Sequence, residues 1–80
     1  MKFKEQRGNV FVYEDGEGWE IEAKCLRKSK GYFALEFDSV IVWNDMDVEL
    51  LGGVENYSVI QTAVQMMQIL IDWWIVTGKL

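Results

Sequence analysis

The sequence predicts an α+β domain in which an antiparallel β-meander is followed by one C-terminal amphipathic helix. Apolar residues alternate with a period of two before Gly52 and recur at the helical period of about 3.6 after it. Short turn-forming segments separate the alternating runs, so we expect three to five strands within residues 8–51. A helix over residues 58–77 then packs on one face of the sheet. The 80 residues have room for a single domain, residues 1–80.

The first two predicted strands lie on either side of a turn-forming segment, Asp15–Gly18. Val10 to Tyr13 precede this segment, and Trp19 to Leu26 follow it, with apolar and charged residues alternating up to Cys25. The pattern assigns the inner, core-facing side to Trp19, Ile21, Ala23 and Cys25, and the outer side to Glu20, Glu22 and Lys24.

The length of this first turn decides which side of the sheet receives two aromatic residues, Phe11 and Tyr13. A two-residue turn at Asp15-Gly16, or a four-residue loop from Asp15 to Gly18, would leave both on the outer side. A five-residue loop from Glu14 to Gly18 would bury both. The pattern leaves both alternatives open.

A second polar turn, Arg27–Gly31, leads into alternating residues between positions 32 and 38. The apolar run Val40–Trp43 either continues that strand or begins another one after a bend at Ser39. Val48 to Leu51 predict a short edge strand.

Carboxylates on the outer side indicate a binding surface. If Arg27–Gly31 is the turn, the register places Glu22 opposite Glu36 and Glu20 opposite Asp38. Like charges directly opposite each other destabilise a sheet by some tenths of a kcal/mol. We interpret them as a surface for Arg and Lys side chains of a partner, with a merely solvated face as the alternative. The predicted partner-binding residues are Glu20, Glu22, Glu36 and Asp38, with Tyr13 or Tyr32 at the edge of the surface.

The predicted helix has a start signal, a stop signal and one polar stripe. Ser58 and Gln61 form a capping-box pattern, and Gly78 is a left-handed stop after Thr77. The polar stripe consists of Gln61, Gln65, Gln68 and Asp72. The apolar arc is wider than a small sheet needs, which places Trp73, Ile75 and Val76 in a homodimer contact. The alternative is a helix surrounded by the aromatic residues of its own sheet.

The composition argues against several kinds of chemistry. The chain has no His, so it lacks an imidazole base, a His-activated nucleophile and His metal ligands. The lone Cys25 cannot form an internal disulfide or a multi-thiolate zinc site. We therefore expect no enzymatic activity, no cofactor and no metal.

The charge balance favours a basic protein partner. Eight Lys and Arg residues stand against 13 Asp and Glu residues, for a net charge of −5, which argues against binding nucleic acid. The charged N-terminus lacks the apolar core of a signal peptide, and Asp72 interrupts the longest apolar run. These features predict a cytoplasmic protein without a membrane span.

Several positions match a known pattern. Arg7-Gly8 leads into the first predicted strand, Gly31-Tyr32-Phe33-Ala34-Leu35 leads to Ser39-Val40 and Trp43, and a single helix ends near Gly78. In these features the chain resembles the small immunity proteins of bacterial polymorphic-toxin and contact-dependent growth inhibition systems, in the class with a short β-meander and a C-terminal helix. The resemblance implies a cytoplasmic protein that binds one cognate toxin domain, often a nuclease, and blocks its active site.

Two other classes of function compete with this one. A phage-encoded inhibitor of a host nucleic-acid enzyme would share the acidity and the lack of catalytic residues. A small single-stranded nucleic-acid-binding module would need exposed cations beside its aromatic residues, where this sequence has carboxylates.

Overall fold

The structure, a computed structural model, describes residues 1–52 and 56–78. These residues form one six-stranded antiparallel sheet and one helix. The elements are β1 (Lys2–Arg7), β2 (Val10–Glu14), β3 (Glu20–Ser29), β4 (Tyr32–Phe37), β5 (Val40–Trp43), β6 (Val48–Leu50) and α1 (Tyr57–Thr77). Strand order in the sheet follows chain order. The predicted α+β class and meander are confirmed, whereas the count of six strands exceeds the predicted three to five.

The strand absent from the prediction is β1, at one edge of the sheet. Phe3 is its only buried residue, so the strand lacks the apolar alternation that marks a strand in sequence. It pairs with β2 through a two-residue turn, Gly8-Asn9, in which Gly8 has a φ of 61°. An irregularity between Phe3 and Glu5 leaves Lys4 outside the pairing register. Charges and a bulge protect an edge strand from pairing with other chains.

The hairpin formed by β2 and β3 buries Phe11 and Tyr13, the two aromatic residues whose side of the sheet the sequence left open. Tyr13 lies opposite Ile21 and Glu14 opposite Glu20, so the connecting loop is the five residues 15–19. Phe11 and Tyr13 are completely buried, as the five-residue alternative predicted, although the loop lies one residue later than the predicted Glu14 to Gly18. Trp19, which was predicted to face the core, lies in this loop and is 72% exposed. The carboxylate of Asp15 holds the loop by accepting hydrogen bonds from the backbone of residues 17 and 19.

In the hairpin formed by β3 and β4, the side chains lie on the predicted faces, but the two strands do not pair in the predicted register. Its turn is the pair Lys30-Gly31, not Arg27–Gly31, because Gly31 takes the positive φ of 81° that a tight turn uses. A bulge between Arg27 and Ser29 absorbs one residue. The strands are therefore offset by two residues from the prediction, and Glu36 lies opposite Lys24 instead of Glu22. An even offset keeps every side chain on its predicted face.

A two-residue turn at Asp38-Ser39 separates β4 from β5. Both residues have positive φ, 47° and 68°, as a type I′ hairpin turn requires. Val40 lies opposite Phe37 and begins a new strand, which decides between the two alternatives for the run Val40–Trp43.

The helix starts one residue earlier than predicted and has a different cap. Asn56 is the N-cap, and its side-chain oxygen accepts from the backbone N–H groups of Ser58 and Val59 at 3.0 and 3.4 Å. Ser58 therefore lies inside the helix instead of capping it. Gly78 ends the helix in the left-handed conformation, as predicted. Gly53, which follows the predicted boundary at Gly52, lies outside the described residues.

The helix buries one stripe on the inner face of the sheet. Its buried residues are Ala63, Met66, Met67, Leu70 and Trp74, and the predicted polar stripe of Gln61, Gln65, Gln68 and Asp72 is exposed. Trp74 lies between Phe11 and Phe33, with ring centroids 6.0 and 4.6 Å away. The helix is also long and apolar enough to cross a membrane, a test that core helices of soluble proteins pass as well. Residues buried inside the fold make up 28% of its most apolar 18-residue window.

Candidate functional site

The candidate site lies on the outer face, which is the face of the sheet opposite α1. No described element covers this face, since all six strands belong to one sheet and the helix packs on the other side. Side chains from adjacent strands lie in rows across it. One row consists of Lys24, Glu36, Ile41 and Glu49, and another of Leu26, Ala34 and Trp43.

Three apolar residues on this uncovered face are nevertheless buried. Val12 and Ala34 are completely buried, and Ile41 is 8% exposed. Each lies between two longer side chains in its row; for Ile41 these are Glu36 and Glu49. At Val12 and Ile41 the aliphatic stems of the flanking glutamates shield the apolar residue while their carboxylates reach water, and at Ala34 the flanking side chains are Leu26 and Trp43. The outer face is therefore a packed surface with charged groups at its top.

The charges at one end of the outer face are paired with each other. We call this end the paired half, and its residues are Lys2, Lys4, Glu5, Arg7, Glu14 and Glu20. The Glu20 carboxylate lies 2.7 Å from Lys4 Nζ and 3.3 Å from the Arg7 guanidinium, which also contacts Glu5 at 2.9 Å. Hydrogen bonds from Lys4 and Arg7 hold the pKa of Glu20 below its ordinary value. Pairing neutralises this half without adding much stability, because exposed ion pairs contribute little.

The other end of the outer face combines two stacked aromatic rings with carboxylates. We call it the aromatic half, and its residues are Tyr32, Glu36, Trp43, Asp45, Asp47 and Glu49. The rings of Tyr32 and Trp43 are nearly parallel, with centroids 4.7 Å apart and an interplanar angle of 14°. Of the side chains that the structure describes, no Lys or Arg forms an ion pair with the four carboxylates of this half.

Three of these carboxylates belong to the hairpin that follows Trp43, and their charges act on Tyr32. Desolvation is the largest cause that raises the pKa of the Tyr32 phenol, and the negative charges of Asp45, Asp47 and Glu49 raise it further. The turn that carries the two aspartates is well ordered by hydrogen bonds. The Asp45 carboxylate accepts from the backbone of Asp47 at 3.0 Å, and Trp43 N–H donates to the Asp47 carbonyl at 2.8 Å.

The predicted binding residues are distributed over three places. Glu20, Glu22, Glu36 and Tyr32 lie on the outer face, with Glu20 in its paired half; Asp38 lies in the β4–β5 turn, and Tyr13 lies in the core. The predicted pairs of Glu22 with Glu36 and of Glu20 with Asp38 are wrong, because the register is offset by two residues. Tyr13 was also misplaced. It lies in the core, where its hydroxyl donates a hydrogen bond to the helix.

Four residues of the aromatic half were not among the predicted binding residues: Trp43, Asp45, Asp47 and Glu49. The sequence indicates the position of Trp43 only through the bend expected at Ser39. A two-residue turn at Asp38-Ser39 places Trp43 opposite Ala34, which makes it a diagonal neighbour of Tyr32. Asp45, Asp47 and Glu49 belong to the β5–β6 hairpin, whose connecting segment begins directly after Trp43.

A shallow groove of about 830 Å³ runs along the edge of the paired half, beside Trp19. Its lining includes Lys2, Lys4, Glu14 and Glu20, whose charges already pair with one another. Within residues 1–52 and 56–78, no cluster of Cys, Asp and Glu has the geometry to hold a metal ion. The expected lack of enzymatic activity stays a prediction.

The residues assigned to a homodimer contact are exposed. Trp73, Ile75 and Val76 are 43%, 63% and 83% exposed, and the Trp73 ring also contacts Phe3 at a centroid distance of 5.8 Å. Three side chains are few beside the roughly 20–30 residues that each partner contributes to a standard interface. The dimer stays a prediction.

The aromatic half is therefore the stronger candidate, because it combines carboxylates that pair with no described cation and accessible aromatic surface on a packed support. Its assignment rests on register, burial and charge in this chain alone. The chain matches no protein-family model, no curated protein and no solved structure.

Proposed function

We propose that this protein is a bacterial immunity protein that acts in the cytoplasm. It binds a cognate toxin domain, a nuclease, and occludes the cationic active-site cleft of that domain with its outer face. The observation that carries the proposal is the unequal state of the charges on this face. Lys2, Lys4 and Arg7 neutralise the paired half, whereas the carboxylates of the aromatic half have no cationic partner among the described side chains.

The chemistry of a nuclease cleft explains why such a face would inhibit it. A nuclease holds a polyanion, so its cleft presents Lys and Arg side chains. Carboxylates fixed on a sheet satisfy those cations but contain no bond that the enzyme cleaves. Complementary charge increases the rate of encounter and fixes the register of binding.

The aromatic rings supply an anchor that a partner can desolvate, which charge alone does not provide. Interfaces obtain most of their affinity from a few desolvated anchors, and Trp and Tyr are enriched among them. Tyr32 and Trp43 are half-buried and stacked, so little side-chain freedom is lost when a partner covers them. The aromatic half thus offers an anchor surrounded by steering charges.

Capture followed by an inhibition assay tests the proposed function. The tagged protein is purified from its own host, the captured partner is identified and purified, and the nuclease activity of that partner is measured with increasing amounts of the protein. We expect loss of cleavage at an equimolar ratio. A host replication or transcription enzyme as the partner would favour the phage-inhibitor alternative.

Two further outcomes would contradict the proposal. One is a partner whose activity is unchanged by saturating protein. The other is salt-sensitive binding of single-stranded nucleic acid by the protein alone, which would support the nucleic-acid-binding module instead.

A further inference from the structure

The Tyr32–Trp43 stack is a supported platform on the open side of the sheet. Trp43 lies directly opposite Ala34, and Tyr32 precedes Ala34 by two residues on the same strand. Ala34 is completely buried although no element of the described chain covers the outer face, because the larger neighbouring side chains enclose its methyl group. Both rings are themselves only half-buried, so part of their surface remains accessible to a partner.

The electrostatic surroundings of this platform select a cation. Glu49 lies opposite Ile41, two residues before Trp43 on the same face, and Trp43 N–H donates to the Asp47 carbonyl at 2.8 Å. The hairpin thus brings Asp45, Asp47 and Glu49 to the stack, and their charges raise the pKa of the Tyr32 phenol. None of the three forms an ion pair with a described Lys or Arg, in contrast to Glu5, Glu14 and Glu20 in the paired half. A phosphate or nucleic-acid backbone would be repelled here, whereas a positively charged side chain would gain both aromatic and carboxylate contacts.

Arginine fits this combination better than lysine does. Its guanidinium group is planar, stacks on aromatic faces and donates several hydrogen bonds in its own plane to carboxylates. A lysine ammonium is a compact and strongly hydrated charge without a planar face. A platform of parallel rings bordered by carboxylates therefore favours the guanidinium.

We propose that the aromatic half binds an arginine side chain of the basic partner, stacked on Tyr32 and Trp43 and hydrogen-bonded to the carboxylates of Asp45, Asp47 or Glu49. This inference rests on the proposed function, since it names the partner group that the same face receives. It assigns the anchor of the interface to one residue type.

Two short peptides that differ only in the basic residue test this inference. One alternates glycine with arginine, and the other alternates glycine with lysine. Each is titrated into the isotopically labelled protein at physiological salt while the four Trp indole N–H signals and the backbone amides are followed by NMR. We expect saturable shifts at Trp43 and in β4–β6, with arginine binding about threefold or more tighter than lysine.

Matched variants show whether the rings are responsible. Trp43→Leu should remove the preference for arginine, and Trp19→Leu, which changes another exposed Trp, should retain it. Tyr32→Leu provides a second test if Trp43→Leu does not fold. The titrations of the unmodified protein are sufficient to refute the inference. Equal affinity for the two peptides, or signal shifts confined to other surfaces, would overturn it without any variant.

The outcome also separates this inference from the proposed function. Inhibition of a captured nuclease without any arginine preference would leave the proposed function standing and refute the arginine site. An arginine preference at Trp43 together with an uninhibited partner would support the arginine site and refute the proposed function.

Discussion

The hydroxyl of Tyr13 donates a hydrogen bond of 2.7 Å to the backbone carbonyl of Met66, in the middle of the helix. Both residues are completely buried, and they are 53 positions apart in the chain. This bond connects β2 to α1 across the core. It also explains why a polar aromatic residue is accepted on the inner face, because a buried hydroxyl without a partner would be costly.

Tyr13→Phe should lower the free energy of unfolding by about 1 kcal/mol, the typical net contribution of one such bond. The loss stays modest because the Met66 carbonyl keeps its helical hydrogen bond. Urea denaturation of the wild-type protein and of Tyr13→Phe measures this loss in the free energy of unfolding. Tyr57→Phe, at a residue that is 80% exposed, is the matched control and should leave stability nearly unchanged. Equal stability of the two variants would contradict the assignment of this bond.

Stability should decline in alkali because of the same residue. Burial raises the pKa of Tyr13 above the ordinary value of 10.0, since the charged phenolate is disfavoured in the core. The folded state then holds the proton more tightly than the unfolded state, so the contribution is complete below pH 10 and is lost as pH rises further. Unfolding measured across alkaline pH should show a steeper decline for the wild-type protein than for Tyr13→Phe. Parallel curves would refute this.

The helix cap gives a third prediction, which distinguishes the observed N-cap, Asn56, from Ser58, the N-cap expected from sequence. Asn56→Ala removes the acceptor for two backbone N–H groups and should cost about 1 kcal/mol. Ser58→Ala should have little effect, since Ser58 lies within the helix. Denaturation of both variants measures the difference. A larger loss in Ser58→Ala would restore the capping-box assignment.

The strand register gives a fourth prediction through two charge reversals. Glu36→Lys places two lysines opposite each other, at positions 24 and 36, and should destabilise by about 0.2–1 kcal/mol. Glu22→Lys lies opposite Val12 and should be nearly neutral. The register predicted from sequence would instead make each reversal stabilising, because each would relieve a pair of like charges. Thermal or urea unfolding distinguishes the two registers by the sign for Glu36→Lys.

Much of the fold could be predicted because hydrophobic periodicity adds up over many residues. The helix and the inner residues of β3 and β4 follow from it, and an even register offset does not change the faces. The periodicity could not reveal β1, whose inward anchoring depends chiefly on Phe3. Composition also does not show where a polar run turns, so the tight turn at Lys30-Gly31 was missed.

The site was only partly predictable, because periodicity determines some of its residues whereas loop length and turn type determine the others. Tyr32 lies on the expected face because its position depends on alternation alone. Tyr13 depends on the length of the first loop, and a change of one residue moves it from the surface to the core. The stack of Tyr32 on Trp43 depends on a type I′ turn formed by Asp38 and Ser39, neither of which is glycine. Such turns are usually signalled by Asn-Gly or Asp-Gly.

The most direct test of the binding face compares two charge reversals of equal size. Glu49→Lys changes the aromatic half, and Asp72→Lys makes the same change on the exposed stripe of the helix. Calorimetry with the purified partner gives the dissociation constant for each. The outer-face account predicts that Glu49→Lys weakens binding about tenfold or more while Asp72→Lys has less than about a twofold effect. Equal weakening by both, or a larger effect of Asp72→Lys, would contradict it.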